Sequence, residues 1–218
     1  MTLRAENGLI CTGDASFDTP FIHNALILAN AAIDRSKLAQ RVLAKYPIDL
    51  TSLRVHDAFQ TPLPGTSAAD DLGLYGVSGD GEFGTAPPLV KTYDVKSVGA
   101  TTLYARFRTH LPDDYEAGQT FQIRIVAGMS VLADTSATLD LEAYKIADDG
   151  TISADLCTTT PEDINNATLA AKDFTINSSG LVAGDEFDMR IAVAVNDAAG
   201  GTAVRAIITK IIRLVDAR

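Results

Sequence analysis

Between residues 185 and 195 the chain alternates with a strict period of two. Phe187, Met189, Ile191, Val193 and Val195 fall on one side, and Asp188, Arg190, Ala192 and Ala194 on the other. A helix would scatter these residues round its circumference, whereas an extended strand with one buried face sorts them cleanly. A second strand-like run occupies residues 202–215. The intervening Asn196-Asp197-Ala198-Ala199-Gly200-Gly201 is rich in residues that tolerate positive φ. The two runs read as a long antiparallel hairpin around which the rest of the chain must arrange itself.

Further segments obey the same rule. Leu103, Ala105, Phe107, Thr109 and Leu111 alternate with Tyr104, Arg106, Arg108 and His110, giving one apolar and one basic, wettable face. Phe121, Ile123 and Ile125 alternate with Gln122 and Arg124. Leu139, Leu141 and Ala143 alternate with Asp140, Glu142 and Tyr144, and a weaker run covers residues 174–176. Turn residues separate them at Pro112-Asp113-Asp114, Ala117-Gly118, Asp148-Asp149-Gly150 and Ser178-Ser179-Gly180. Many short strands joined by turns, with no helical pattern between them, predict a mainly β fold: an antiparallel β-sandwich of jelly-roll-like type.

Two details sharpen that expectation. Residues 117–125 (AGQTFQIRI) echo residues 183–191 (AGDEFDMRI), as two equivalent corners would, one on each sheet. The closing strand is apolar on both faces, with Val204, Ala206, Ile208, Ile212 and Leu214 on one and Ile207, Ile211 and Val215 on the other. Either a bulge near Thr209 shifts the register, or another chain or the N-terminal arm covers the outer face. The covered reading is placed first.

Residues 1–55 do not read as a domain. The apolar run at 25–33 lacks clean periodicity, residues 36–46 suit a short helix closed by Pro47, and Ile48, Leu50, Leu53 and Val55 suggest extended chain. The expected organisation is an extended, partly helical N-terminal arm over 1–55, serving oligomerisation or attachment, and a β-sandwich over 56–218. So short an apolar segment needs a partner, and Leu26, Ile27, Leu28, Ile33, Leu38, Val42, Ile207 and Ile211 are the candidate interface residues. Residues 56–99 are loop-rich, punctuated by Pro62, Pro64, Pro87 and Pro88.

Charge and composition narrow the partners. The formal net charge is −10, with lysines and arginines scattered rather than clustered, so direct nucleic-acid binding is not expected. The run at 25–33 falls well short of the roughly 20 residues that span a bilayer, and no secretion signal is visible, so a protein made in the cytoplasm is expected. Cys11 and Cys157 sit in neither a CxxC nor a metal-ligand spacing and read as two unrelated thiols.

The motifs with chemical content do not assemble into a catalytic site. Gly79-Asp80-Gly81-Glu82-Phe83-Gly84 matches GxGxxG, but Pro87-Pro88 forbids the helix whose N-terminus would hold a pyrophosphate. The acidic turns at 70–71, 80–82, 113–114 and 148–149 lack the EF-hand spacing and read as solvated carboxylates. His23, His56 and His110 are isolated, so zinc is not expected. Ser78 is in no nucleophile elbow, and Asn166-Ala167-Thr168 and Asn177-Ser178-Ser179 match the glycosylation sequon, which matters only after secretion. No catalytic residue, cofactor or metal is expected, and the chain reads as a non-enzyme.

Residues 180–191 (GLVAGDEFDMRI), with the Asn196-Asp197 turn and final strand, resemble the end of β-sandwich domains in tailed-bacteriophage virion surface proteins. Residues 31–40 (AAIDRSKLAQ) are similar to the spacer that precedes such domains. The resemblance implies a homotrimer in the virion, bound to the major capsid protein or another virion protein. On that expectation the chain is a capsid decoration (cement) protein; a tail-fibre or receptor-binding head is the alternative. A carbohydrate-binding sandwich is a third reading. It calls for exposed aromatics to stack on sugars, against which the absence of Trp and only six tyrosines count.

Overall fold

The computed structural model describes residues 43–67, 69–75, 84 and 87–216. Within them the chain is mainly β. Ten strands run in order: β1 (Ala44–Ile48), β2 (Gly73–Tyr75), β3 (Leu89–Lys91), β4 (Gly99–His110), β5 (Phe121–Met129), β6 (Ser136–Ile146), β7 (Glu162–Asp163), β8 (Ala170–Thr175), β9 (Glu186–Asp197) and β10 (Ala206–Val215). They form two antiparallel sheets. Sheet A has the order β2-β3-β10-β5-β8, with β1 beside β3 on the same edge of β10, and sheet B has the order β4-β9-β6-β7.

The pairings are nested. Strand β3 pairs with β10, β4 with β9, β5 with β8 and β6 with β7, every pair antiparallel. A folded-over ladder of this kind, alternating between two sheets, is the jelly roll. It follows that β9 and β10 are not a hairpin, as the sequence reading had them: β9 pairs with β4 and β6, while β10 pairs with β1, β3 and β5. The turn residues after Asn196 make an inter-sheet corner. Hairpins and corners need the same freedom of φ, and Gly201 at φ +140° supplies it here.

Both sheets bury one face. Leu103, Phe107, Leu139, Leu141, Phe187 and Ile191 of sheet B pack into a single core with Phe121, Ile123, Ile125, Phe174, Ile208 and Ile211 of sheet A. The sequence echo lies at its centre. Gly118 and Gly184 both take positive φ before their strands, and the Phe121 and Phe187 rings that follow meet edge-on at 5.0 Å, one from each sheet.

The two-faced closing strand resolves into a bulge. Ile208 pairs with Ala127 and Lys210 with Val126, so Thr209 is an extra residue on β10. Ile211 is thereby turned into the core, and its apolar character is accounted for within the chain rather than by a covering neighbour. Ile207 is half-buried on the outer side, opposite Gly128. The shift also turns Arg213 inward. There Nη1 donates to Thr109 Oγ1 at 3.0 Å and to His110 O, and the guanidinium lies 4.6 Å over the Tyr46 ring.

Chain ahead of residue 56 also joins the sandwich. Ala44–Ile48 is an edge strand on β10, so the last part of the expected helix is extended chain. Pro47 sits where a missing N–H faces away from the ladder. Leu53 and Val55 are buried, and Leu53 belongs to the sandwich core although it precedes residue 56. Leu26, Ile27, Leu28, Ile33, Leu38 and Val42, with the rest of the expected arm, lie outside the described residues, as do residues 79–83 of the GxGxxG match.

Candidate functional site

The outer face of sheet B carries the candidate site. Register across β4, β9 and β6 sets its side chains in rows: Tyr104, Ala192 and Asp140; then Arg106, Arg190 and Glu142; then Arg108, Asp188 and Tyr144. Each lies between inward-facing core residues, so packing on the other side of the sheet fixes its position.

Opposite charges pair both between neighbouring rows and within one row. Arg106 Nε donates to Asp188 Oδ1 at 2.6 Å and Nη2 donates to Asp188 Oδ2, a planar two-point contact. Arg190 Nη2 lies 2.7 Å from the Glu142 carboxylate, to which the Tyr144 hydroxyl also donates at 3.4 Å. Hydrogen bonding to Asp188 and to Glu142 raises the pKa of Arg106 and of Arg190 respectively, and burial followed by the Glu142 and Asp155 charges raises that of the Tyr144 phenol. Asp140 is also pushed up, first by burial, against a backbone N–H from Leu141 that opposes the shift. The Arg190 guanidinium stands 5.0 Å over the Tyr104 ring.

Two loops wall this face. On the β4 side Arg54 exchanges backbone hydrogen bonds with Arg106 at 2.8 and 2.9 Å, and Tyr104 N donates to Asp70 O at 2.7 Å. This wall brings the His56 ring against Tyr104, with centroids 4.7 Å apart, and sets Phe59 under the guanidinium groups of Arg106 and Arg108. On the β6 side Ile152 bridges to Ile146, and a tight turn with Gly150 at φ +82° projects Ile152, 64% exposed, beside Tyr144. Between the walls runs a trough in two adjoining parts of about 890 and 260 Å³ that share Arg106, Asp188 and Ile152. Lys145 and Asp185 line the larger part, paired at 2.8 Å.

His56 Nδ1 lies 3.4 Å from Asp71 and Nε2 lies 3.6 Å from Asp70, and one ligand atom each from His56, Asp57 and Asp71 falls within 4.8 Å of the others. These groups could take a cation, and they also satisfy one another as His–Asp pairs. Ile207 and Ile211, the described members of the expected interface, belong to sheet A and are not part of this face. Sequence reasoning sets out the basic, wettable face of β4 and, separately, the alternate residues Asp140, Glu142 and Tyr144 of β6. The signal that joins them is their complementary charge, basic at 106 and 108 and acidic at 140 and 142.

No family model matches the chain, and no curated protein matches it. Among solved structures it is similar to the xylan-binding module CBM15 at 14% identity, covering 81% of this chain and 99% of that chain, with a TM-score of 0.43. It is also similar to a family 16 carbohydrate binding module-2 at 12% identity, covering 69% of this chain and 88% of that one, with a TM-score of 0.37. The CBM22-1 xylan-binding domain from Paenibacillus barcinonensis Xyn10C matches at 11% identity, covering 68% and 83%, with a TM-score of 0.35.

Proposed function

We propose that this sandwich is a glycan-binding module whose ligand lies in the trough on the outer face of sheet B. The observation that carries the reading is the pre-ordered pair of ion contacts, the two-point Arg106–Asp188 contact and Arg190 Nη2 on Glu142, set beside the Tyr104 and Tyr144 rings on one face. A sugar presents adjacent hydroxyls that both donate and accept, together with an apolar C–H face. Guanidinium and carboxylate groups held in fixed positions answer the hydroxyls without reorganising, and a tyrosine ring covers the C–H face. Two of the six tyrosines stand on this face, and since His56 and Arg190 pack on the Tyr104 ring, Tyr144 is the one offered to a sugar, which supports the reading where the count alone weighed against it.

The test is calorimetric titration with a panel of oligosaccharides, using the intact chain and Tyr144→Ala. Stacking worth about 0.5–1.5 kcal/mol corresponds to a loss of roughly 2- to 12-fold in affinity on removing the ring. Absence of binding to every glycan, or binding that Tyr144→Ala leaves untouched, would overturn the reading.

A second reading is attachment to a virion surface as one of many copies, in line with the resemblance of the closing segment. The half-buried apolar pair Ile207 and Ile212 on the outer side of sheet A supports it. Its test is co-sedimentation with purified particles, where a handful of copies per particle would speak for a fibre head instead of a decoration.

A further inference from the structure

Resting on the glycan reading of the trough, we infer that its ligand is an uncharged glycan and that acidic glycans are turned away. The floor already holds its own counter-charges. Arg106 is engaged by Asp188 through two nitrogens and offers Nη1 to His56 O at 3.4 Å, Arg190 is engaged by Glu142 at 2.7 Å, and Lys145 by Asp185 at 2.8 Å. Arg108 is left, and its guanidinium lies 5.2 Å over the Phe59 ring with Asp188 opposite it in register. Three cationic side chains and four anionic ones, Asp148 and Glu186 among them, line the larger part of the trough; two of each sign line the smaller part, with His56.

A uronate or sulfate that seeks Arg106, Arg190 or Lys145 must displace a carboxylate that already holds two-point or short contacts, and it must then sit beside that displaced carboxylate. Arg108, over the Phe59 ring, can be reached without such a displacement, but Asp188 stands opposite it in register and repels an anion there. The chain's net charge of −10 opposes its approach from a distance. A hydroxyl faces no such conflict. It accepts from a guanidinium N–H not used in the pair, or donates to a spare carboxylate lone pair, and leaves the pair intact.

The experiment compares uncharged xylo-, manno- and gluco-oligosaccharides with oligogalacturonate and heparin-derived oligosaccharides by calorimetry at low and high NaCl. Uncharged ligands should bind with less than about 2-fold change between the two salts, and acidic ones at least roughly 10-fold more weakly. The isosteric variants Asp188→Asn and Glu142→Gln each release one guanidinium. Each should raise affinity for the acidic ligands by about 5-fold or more at low salt, a gain that disappears at high salt. Thermal unfolding checks that each variant is folded, and the two lie on different strands, so one can stand in for the other.

Intact protein that binds acidic glycans as tightly as uncharged ones would overturn this inference and leave the glycan reading standing. So would folded variants that gain no affinity for acids. If neither class binds, the glycan reading fails, and this inference with it.

Discussion

Deletion of Thr209 is expected to leave the sandwich folded, although it removes a residue from the middle of a buried strand. Ile208 pairs with Ala127 and Lys210 with Val126, adjacent residues on β5, so the ladder closes without Thr209. Downstream, Ile211 stays opposite Ile125, Arg213 opposite Ile123 and Val215 opposite Phe121. The loss is the Thr209 hydroxyl contact to Val126 O at 3.4 Å and the local twist, on the order of 1 kcal/mol. Were β10 a single unbroken alternation running on from the inward Ile208, Ile212 and Leu214 would face the core and the same deletion would turn them outward. Losing the burial of two such side chains costs roughly 1.5–3 kcal/mol apiece, or about 3–6 kcal/mol together. That is comparable with the roughly 5–15 kcal/mol that stabilises a typical domain. With no tryptophan in the chain, urea unfolding is followed by far-UV circular dichroism. With m near 1–3 kcal/mol/M, the bulge predicts a midpoint lowered by about 0.3–1 M at unchanged m. An unfolded product, or a loss beyond about 3 kcal/mol, would refute the register argument.

Phe187→Ala removes a ring from the meeting point of the two sheets and should cost about 3–5 kcal/mol in denaturant titration, whereas Val182→Ala, 48% exposed, should stay within about 0.5 kcal/mol. Burial pushes the Cys157 thiol up to about 11, so in a Cys11→Ser background iodoacetamide at pH 8 should modify it roughly 100-fold more slowly than a free thiol; a rate within about 10-fold would contradict the burial. The Arg124 hydrogen bonds hold the Asp173 carboxyl below its ordinary range. A carboxyl depressed on folding stabilises above its unfolded pKa of about 3.9 and loses that contribution as pH falls through the folded value, so Asp173→Asn should flatten the acid limb of stability against pH; an unaltered limb means the half-exposed pair contributes nothing.

Strand identity and inward faces were legible because burial on one side imposes a period of two whatever the partner. Leu103, Phe107, Ile123, Leu141 and Met189 all point where the alternation puts them. Partner choice was not legible. Asn196 to Gly201 serves an inter-sheet corner as well as it would a hairpin, and only the nested pairing of β3 with β10 and β4 with β9 distinguishes the two. The bulge escaped for a related reason. Ile208, Ile211, Ile212 and Leu214 are apolar in either register, so hydrophobicity cannot locate the extra residue; Arg213, whose inward placement needs Thr109, His110 and Tyr46 as partners, comes from distant parts of the chain.

The candidate site follows from the same physics as the core, which is why its parts were visible and its whole was not. On β9, Met189 and Ile191 are each 0% exposed, and their packing leaves Arg190 no direction but outward. Strand β9 is paired along both edges, so Arg190 must stand between Arg106 of β4 and Glu142 of β6. A one-residue slip of β9 would bury Asp188 and Arg190 and expose Phe187 and Met189, so the order of the charged rows is enforced by the cost of disrupting the core. The small outward residues have no such origin. Ala192 stands between Tyr104 and Asp140, and Ala194 between Thr102 and Thr138. Core packing on the other side of the sheet gives no reason for their size; on the proposed glycan reading they leave room for a ligand beside Tyr104.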